Sequence, residues 1–481
     1  MLTYNLDRRG GLSVYAFLYK CLRDDILNGV LKANTRLPSR RGFAEHLRVS
    51  AVTIENAYRQ LEAEGYIYIL PRRGAYVSAD IVPDVGKNKN NKIIKNIYIN
   101  SDNNINNNIN NNIDKNNKKY KLDLSGGRID NNNNLTGFPA ATWAKLARRI
   151  LSEKQEALLQ PIPHQGLLEP RQAIARYLRD FKGMNISPEQ VVIGAGAEYL
   201  YILIAQLLGP EITFALEDPG YPKISMVYEK CGAKRIFIPA DEQGININIL
   251  AQSDAQAAHL SPAYHGAVMS AGRRHALSRW AERVGGYLIE DDFDSEFYFT
   301  GRPIPTLQSM DHSGRVFYLN TFSQTISPAM RMGYLILPPD ALNIYQRELG
   351  FYACTVPALE QLILARFLGD GYFERHLARL RKAYKIRRAE ILDAFRRAAF
   401  ARNIAINEQG AGLRFLLRID TNRPDEIIKN RAESLGVKLK FLSDYAASPR
   451  PEYAHNILIN CAGLNPEDLK LYMPLLEEIF Q

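Results

Sequence analysis

The chain has 481 residues, 46% of them hydrophobic and 23% charged, about three times the usual single-domain length and enough apolar material for more than one core. Its 61 Lys and Arg against 51 Asp and Glu leave a net charge of +10, which suits a polyanionic partner. The four cysteines, at 21, 231, 354 and 461, form no C-x-x-C pair, which argues against a disulfide scaffold and a zinc finger. The N-terminus lacks the apolar core of a signal peptide, and the greasiest stretch, Tyr199–Leu208, is too short to cross a bilayer. A soluble, cytoplasmic protein without membrane contact is expected.

In chain order, Val14, Phe17, Leu18, Cys21, Leu22 and Ile26 recur at helical spacing and predict a first amphipathic helix. Ser39 in Leu37-Pro38-Ser39-Arg40-Arg41 is placed to cap a second helix bearing Phe43, Ala44 and Leu47. A turn at Arg48-Val49-Ser50 leads to a third, with Ile54, Ala57, Tyr58 and Leu61 on one face. Two short strands follow, Tyr66–Leu70 and Ala75–Ser78, around Pro71-Arg72-Arg73-Gly74. Helix, turn, helix and a basic-tipped hairpin make a winged helix–turn–helix, whose third helix enters the major groove while the wing meets phosphates or the minor groove. Arg40, Arg41, Arg72 and Arg73 lie at these two docking points.

The pattern LPS-R-R-x-x-A-x-x-L-x-V-S-x-x-T resembles the GntR family of bacterial regulators over the whole of residues 1–80. That resemblance places Arg41, Ser50, Thr53, Arg59 and the wing with its Gly74 on double-stranded operator DNA. Ala51 and Glu55 stand where the family often carries further arginines, a departure that bears on base readout. A winged helix used to bind protein instead of DNA is the alternative reading.

Residues 81–120 change character: 15 of the 40 are Asn, a composition unable to bury enough apolar surface to offset its ordering entropy, so a disordered linker is expected. Asn131–Asn134 reads as a loop expansion of the same kind. From residue 121 to 481, apolar runs at Val191–Ile193, Ile212–Ala215, Tyr287–Ile289 and Val316–Leu319 alternate with helical stretches at Glu198–Leu208, Pro222–Cys231 and Arg273–Val284. This alternation predicts a mostly parallel sheet covered on both faces, an α/β domain. From about Leu377 to the end, a helix and a small α+β subdomain are expected, with strands at Leu413–Ile419, Val437–Phe441 and Ile457–Asn460.

Four motifs recur along this second part. Val192–Glu198 is strand, Gly-rich turn and helix start, a place for an anion. Glu217–Pro222 presents Tyr221 at a turn; Ile289–Asp294 puts carboxylates at a strand end; Leu319–Gln324 is followed at a distance by Arg331. Strand alternation splits Asp291, Asp292, Asp294 and Glu296 between two faces, which argues against a metal site.

In that order the motifs resemble the fold-type I pyridoxal-phosphate aminotransferases (class I/II), and with a GntR-type head they resemble the MocR family of transcriptional regulators. The resemblance implies that Ala195, Gly196, Thr321, Ser323 and Arg331 hold a cofactor phosphate, that Tyr221 stacks on its ring and that Asp291 pairs with the ring nitrogen. The residue after Thr-Phe-Ser, the Schiff-base lysine in the family, is here Gln324, which cannot form the imine. Phe293 replaces a usual Tyr, and Ser261–Gly266 is shorter than the related loop. Arg414 is a candidate for a substrate-carboxylate contact, with a surface strand arginine the stronger reading.

These departures imply a site that takes pyridoxal 5'-phosphate or pyridoxamine phosphate non-covalently, or a domain that only dimerises. The expected function is a homodimeric regulator with a small-molecule effector, a vitamin B6 derivative or an amino compound, and no catalytic residue. Two rivals stay open: a working aminotransferase carrying a DNA-binding head, and a decayed pseudogene product.

Overall fold

The computed structural model describes residues 2–4, 6, 13–27, 29–63, 66–70, 73–78, 120–126, 137–241, 243–261, 269–299, 305–408, 410 and 412–480. The chain divides into two compact units, Met1–Lys118 and Lys119–Gln481. The linker expectation for residues 81–119, the Asn131–Asn134 loop, Arg72 and most of Ser261–Gly266 lie outside the described residues.

In the first unit, α1 (Val14–Leu27), α2 (Arg40–Leu47) and α3 (Ala51–Ala63) precede a hairpin of β1 (Ile67–Leu70) and β2 (Gly74–Val77), paired in the register Ile67 to Val77. Each helix turns the face its spacing predicts inward: Leu18, Leu22 and Ile26, then Phe43 and Leu47, then Ile54, Ala57, Tyr58 and Leu61 form one core with Val77. Ser39 caps α2 by accepting from the Gly42 N–H at 3.2 Å. Arg48, at φ 55°, reverses the chain between α2 and α3. Residues 34–37 also pair with β2, with Leu37 N donating to Ala75 O and Val77 N to Thr35 O. This third wing strand escapes a periodicity reading because it is so short.

The second unit is built on an eight-stranded sheet: β4 (Val191–Gly194), β5 (Thr213–Asp218), β6 (Lys234–Asp241), β7 (Gly244–Ile245), β8 (Ala257–Leu260), β9 (Tyr287–Asp291), β10 (Val316–Thr321) and β11 (Gly333–Ile336). A two-residue strand, β3 (Leu122–Asp123), precedes them. The spatial order is β4-β11-β10-β9-β8-β5-β6-β7. The strands from β10 across to β6 are parallel, while β11 runs antiparallel to both β10 and β4. Two reversals cancel, so β4 points the same way as β10. The register sets Gly194 opposite Gly333, Gly333 opposite Thr321, and Leu319 opposite Asp291. The carboxyl ends of β4, β10, β9 and β5 therefore open on one edge, where ligands of open α/β sheets bind.

The small subdomain pairs β12 (Ile404–Asn407), β13 (Arg414–Ile419) and β15 (Asn456–Asn460); β14 (Val437–Lys438) pairs with β3. The 25-residue helix Tyr372–Arg396 joins the two parts. Leu377, Leu380 and Tyr384 pack in the large core, whereas Ile391, Leu392 and Phe395 pack in the small one with Leu122 and Leu124. An unbroken helix carries no sequence mark for such a border, and β3 comes from the opposite end of the unit.

Candidate functional site

Along the sheet edge lies a cleft of about 270 Å³ lined by Ala197, Glu198, Tyr201, Tyr221, Lys223, Ser261, Asp291, Phe293, Thr321, Ser323, Gln324, Pro328, Arg331 and Arg414. Five of the residues named from sequence for a cofactor meet here: Tyr221, Asp291, Thr321, Ser323 and Arg331, with Gln324 among them. All sit at or just beyond the carboxyl end of a strand except Arg331, which lies two residues ahead of β11, and this common edge is why residues 110 apart in the chain converge.

Ala195 and Gly196 take a different role from the one expected. The Ala195 N–H donates to Thr355 Oγ1 at 2.9 Å and the Gly196 N–H to Gly194 O at 2.9 Å. Both amides are already bonded, one to Thr355 and one within the turn, and Ala197 and Glu198, the first residues of the helix Ala197–Leu208, line the cleft. The leading amides of a helix lack intrahelical acceptors and carry the positive end of its dipole. Gly196 contributes space: at φ +90° it lies against the Arg331 guanidinium, where a Cβ would overlap it.

Arg331 Nη2 lies 2.7 Å from Glu198 Oε2 and donates to Ala195 O at 3.3 Å. Lys223 Nζ reaches Glu198 Oε1 at 3.1 Å. Burial raises the Glu198 carboxyl, but the hydrogen bonds from Arg331, its own backbone and Lys223 outweigh it and hold the group down to about 2. Spacing did not single out Glu198, although it closes the Val192–Glu198 motif, or Lys223, which lies just past the Glu217–Pro222 motif.

Asp291 is buried at the end of β9. Its Oδ2 accepts from Tyr201 O–H at 2.5 Å and lies 3.6 Å from His259 Nε2, and the Tyr228 hydroxyl meets His259 Nδ1 at 2.7 Å. Burial and the Asp291 charge together push the Tyr201 phenol well up, so it stays a donor. A carboxylate held this way, with Tyr221 beside it, fits a cationic ring nitrogen. The other acidic residues of the stretch are engaged elsewhere. Lys182 Nζ lies 3.0 Å from Asp292 and 3.4 Å from Glu296, and Asp294 accepts from Leu413 N at 2.9 Å. Among the described residues no group of His, Cys, Asp and Glu is arranged for a metal.

Arg414, read mainly as a surface strand arginine, is in fact a wall of the cleft at the start of β13, its guanidinium carbon 4.8 Å from the centre of the Phe293 ring. The alternation of β13 turns Phe415, Leu417 and Ile419 to the core, and that pattern alone could not show that the strand's first residue abuts the large domain.

In the first unit, Arg40, Arg41, Arg59 and Arg73 are exposed. Arg40 lies 3.3 Å and Arg59 2.7 Å from the carboxylate of Glu55, so the residue that departs from the arginine pattern is the counter-ion of two others. Ser50 Oγ accepts from Thr53 N at 3.1 Å and lies 2.7 Å from Thr53 Oγ1. The Ser50 hydroxyl thus caps α3, and the Thr53 hydroxyl is tied to it. Gly74, at φ +110°, packs beside Arg36 where the wing turns.

A winged helix ahead of a sheet of this order and edge cleft matches two family descriptions: "Bacterial regulatory proteins, gntR family" over residues 14–77 and "Aminotransferase class I and II" over residues 119–470. An uncharacterized HTH-type transcriptional regulator of Bacillus subtilis strain 168, YdeL, is 31% identical over 98% of this chain and 97% of its own. The probable rhizopine catabolism regulatory protein MocR of Rhizobium meliloti is 29% identical over 97% and 93%. The chain belongs to the MocR family. Like its MocR relatives it is a DNA-binding transcriptional regulator with an aminotransferase-like domain. An archaeal alanine:glyoxylate aminotransferase structure shares the second fold, with a TM-score of 0.67 and 22% identity over 76% of this chain and 92% of its own. Among the described residues of this MocR-family chain, no helix is long and apolar enough to cross a membrane.

Proposed function

We propose that this regulator is a cytoplasmic homodimer whose three-part chain, 1–80, 81–120 and 121–481, couples an operator-binding head to an effector cleft that has given up covalent chemistry. The head reads DNA through Arg40, Arg41, Ser50, Thr53, Arg59, Arg72, Arg73 and Gly74. The cleft takes pyridoxal 5'-phosphate or pyridoxamine phosphate without a bond to the protein. The observation that carries the reading is Gln324 in the cleft wall with Tyr221, Asp291, Thr321, Ser323 and Arg331. A carboxamide neither forms an imine nor accepts a proton at neutral pH.

The residues present fit such a ligand. Asp291, fixed by Tyr201, would hold the ring nitrogen, Tyr221 would cover a ring face, and Thr321, Ser323, Arg331 and the amides of Ala197 and Glu198 would hold the phosphate, with Gly196 leaving room for Arg331. When bound, the group supplies an electron-poor ring that stabilises carbanions. Here Gln324 leaves that capacity without a base, so the bound molecule serves as a signal, not a reagent. Arg414 is placed for an anionic group on the effector.

The test is an absorbance titration of the purified chain and a Gln324→Lys variant with pyridoxal 5'-phosphate, followed by borohydride reduction and mass spectrometry. The variant alone should retain a reduced adduct, while the natural chain binds reversibly. An adduct on the natural chain would restore the enzyme reading, and no binding by either protein would leave a dimerisation scaffold.

A further inference from the structure

The anion end of the cleft carries a feature that a phosphate receptor does not need. Glu198, in the first turn of the helix Ala197–Leu208, projects between Arg331 and Lys223 and bonds both, at 2.7 and 3.1 Å. Three charged side chains thus stand around one spot, two cations and a carboxylate, and all three line the cleft. The carboxylate takes from Arg331 the same charge-assisted hydrogen bond that a phosphate oxygen would take. It also leaves the cluster one net positive charge, against the charge of nearly −2 on a phosphate monoester near neutral pH.

We propose that Glu198 is the specificity-determining residue at this end of the cleft: a built-in competitor for Arg331 and Lys223 that makes phosphorylated ring ligands bind weakly and reversibly. The inference rests on the reading of the cleft as a pyridoxal-type site and says how that site is tuned. A ligand phosphate entering beside Ala197 must displace Glu198 from both cations or share them with it, and either course lowers affinity through lost hydrogen bonds and like-charge repulsion. An unphosphorylated ring avoids the conflict. With Gln324 supplying no covalent hold, Glu198 keeps ligand occupancy responsive to concentration.

The experiment compares the full chain with Glu198→Gln and Glu198→Ser by fluorescence and calorimetric titration, using pyridoxal 5'-phosphate, pyridoxal and inorganic phosphate as probes. Both variants should bind pyridoxal 5'-phosphate and inorganic phosphate at least about tenfold more tightly and pyridoxal unchanged. Arg331→Gln should cost more phosphate-dependent affinity in the Glu198→Gln background than in the natural one, because the cation is then committed to the ligand. Two variants guard against one failing to fold. Equal affinity for pyridoxal 5'-phosphate in the natural chain and the variants overturns the inference and leaves the cofactor-site reading standing. So does tightening of pyridoxal by the same factor, which marks a general loosening of the cleft. If no protein binds any ring probe, that reading falls, and this inference with it.

Discussion

Gly196 is where backbone conformation and the cleft meet. Its φ of +90° is costly for any residue with a side chain, and a methyl there would overlap the Arg331 guanidinium. Gly196→Ala should cost about 1 kcal/mol or more of stability from the backbone alone. It should also push Arg331 away from Glu198 and from the phosphate position. We expect the variant to fold but to lose most affinity for pyridoxal 5'-phosphate, measured by the same titration; unchanged affinity would show that Arg331 does not hold the ligand. The residues legible from sequence were those whose motif also ends a strand: Tyr221 after β5, Asp291 closing β9, and Thr321, Ser323 and Gln324 at and after β10. The sequence pointed to Ala195 and Gly196, whereas Ala197 and Glu198 line the cleft, because a Gly-rich turn does not show which of its amides are bonded elsewhere. Lys223 and Arg414 enter the cleft through tertiary packing, from the helix after Tyr221 and from the small subdomain, and no local pattern records such an approach.

At the scale of elements, α3 separates two surfaces cleanly. Ile54, Ala57, Tyr58 and Leu61 are buried, while Ala51, Val52, Asn56 and Arg59 are exposed. The period of 3.6 made that face readable without a structure, and the parallel strands were readable from their continuous apolar runs instead. β3 and the third wing strand depend on partners far away in the chain, and β7, paired with the neighbouring end of β6, is only two residues long, so none of the three left a periodic trace. Glu55 sits between the surfaces and holds Arg40 and Arg59, so it limits how freely those guanidinium groups seek phosphates. Glu55→Gln should therefore raise affinity for unrelated DNA more than for the operator and steepen the salt dependence. Arg41→Ala should weaken operator binding and reduce the salt slope by about one. Fluorescence anisotropy across a salt series reads both. An operator-to-unrelated ratio unchanged by Glu55→Gln would mean that the pairings seen here do not govern docking.

For the molecule as a whole, the second unit is sensitive to pH in a direction its buried acids dictate. Burial pushes Glu217 up to about 7 despite N–H groups from Ser261 and Ile245, and pushes Glu290 up to about 7 despite Arg274. Asp294 rises to about 6 for the same reason, opposed by the Leu413 N–H. A raised carboxyl keeps its proton in the folded chain while the unfolded chain has already ionised near 4.5 for Glu or 3.8 for Asp. Its stabilising share is whole below those values and is lost as pH climbs through the folded value. His164 and His376, lowered by burial, act in the opposite sense, an effect that is half spent at their ordinary 6.5 and gone about one unit above it. Glu198, depressed, is ionised in both states above its unfolded 4.5 and adds no slope there. Between about pH 6.5 and pH 8 Glu217 and Glu290 thus dominate, each withdrawing roughly 1 kcal/mol. Calorimetry should show the transition of the larger unit moving down by a few degrees across that range, and Glu217→Gln should shrink the shift by about half. A transition that holds steady or rises would mean that water reaches these carboxylates and lets them ionise in the fold. The head carries its own core of Leu22, Phe43, Ile54 and Tyr58 without such a buried acid among its described residues, so its transition should stay in place while the other moves.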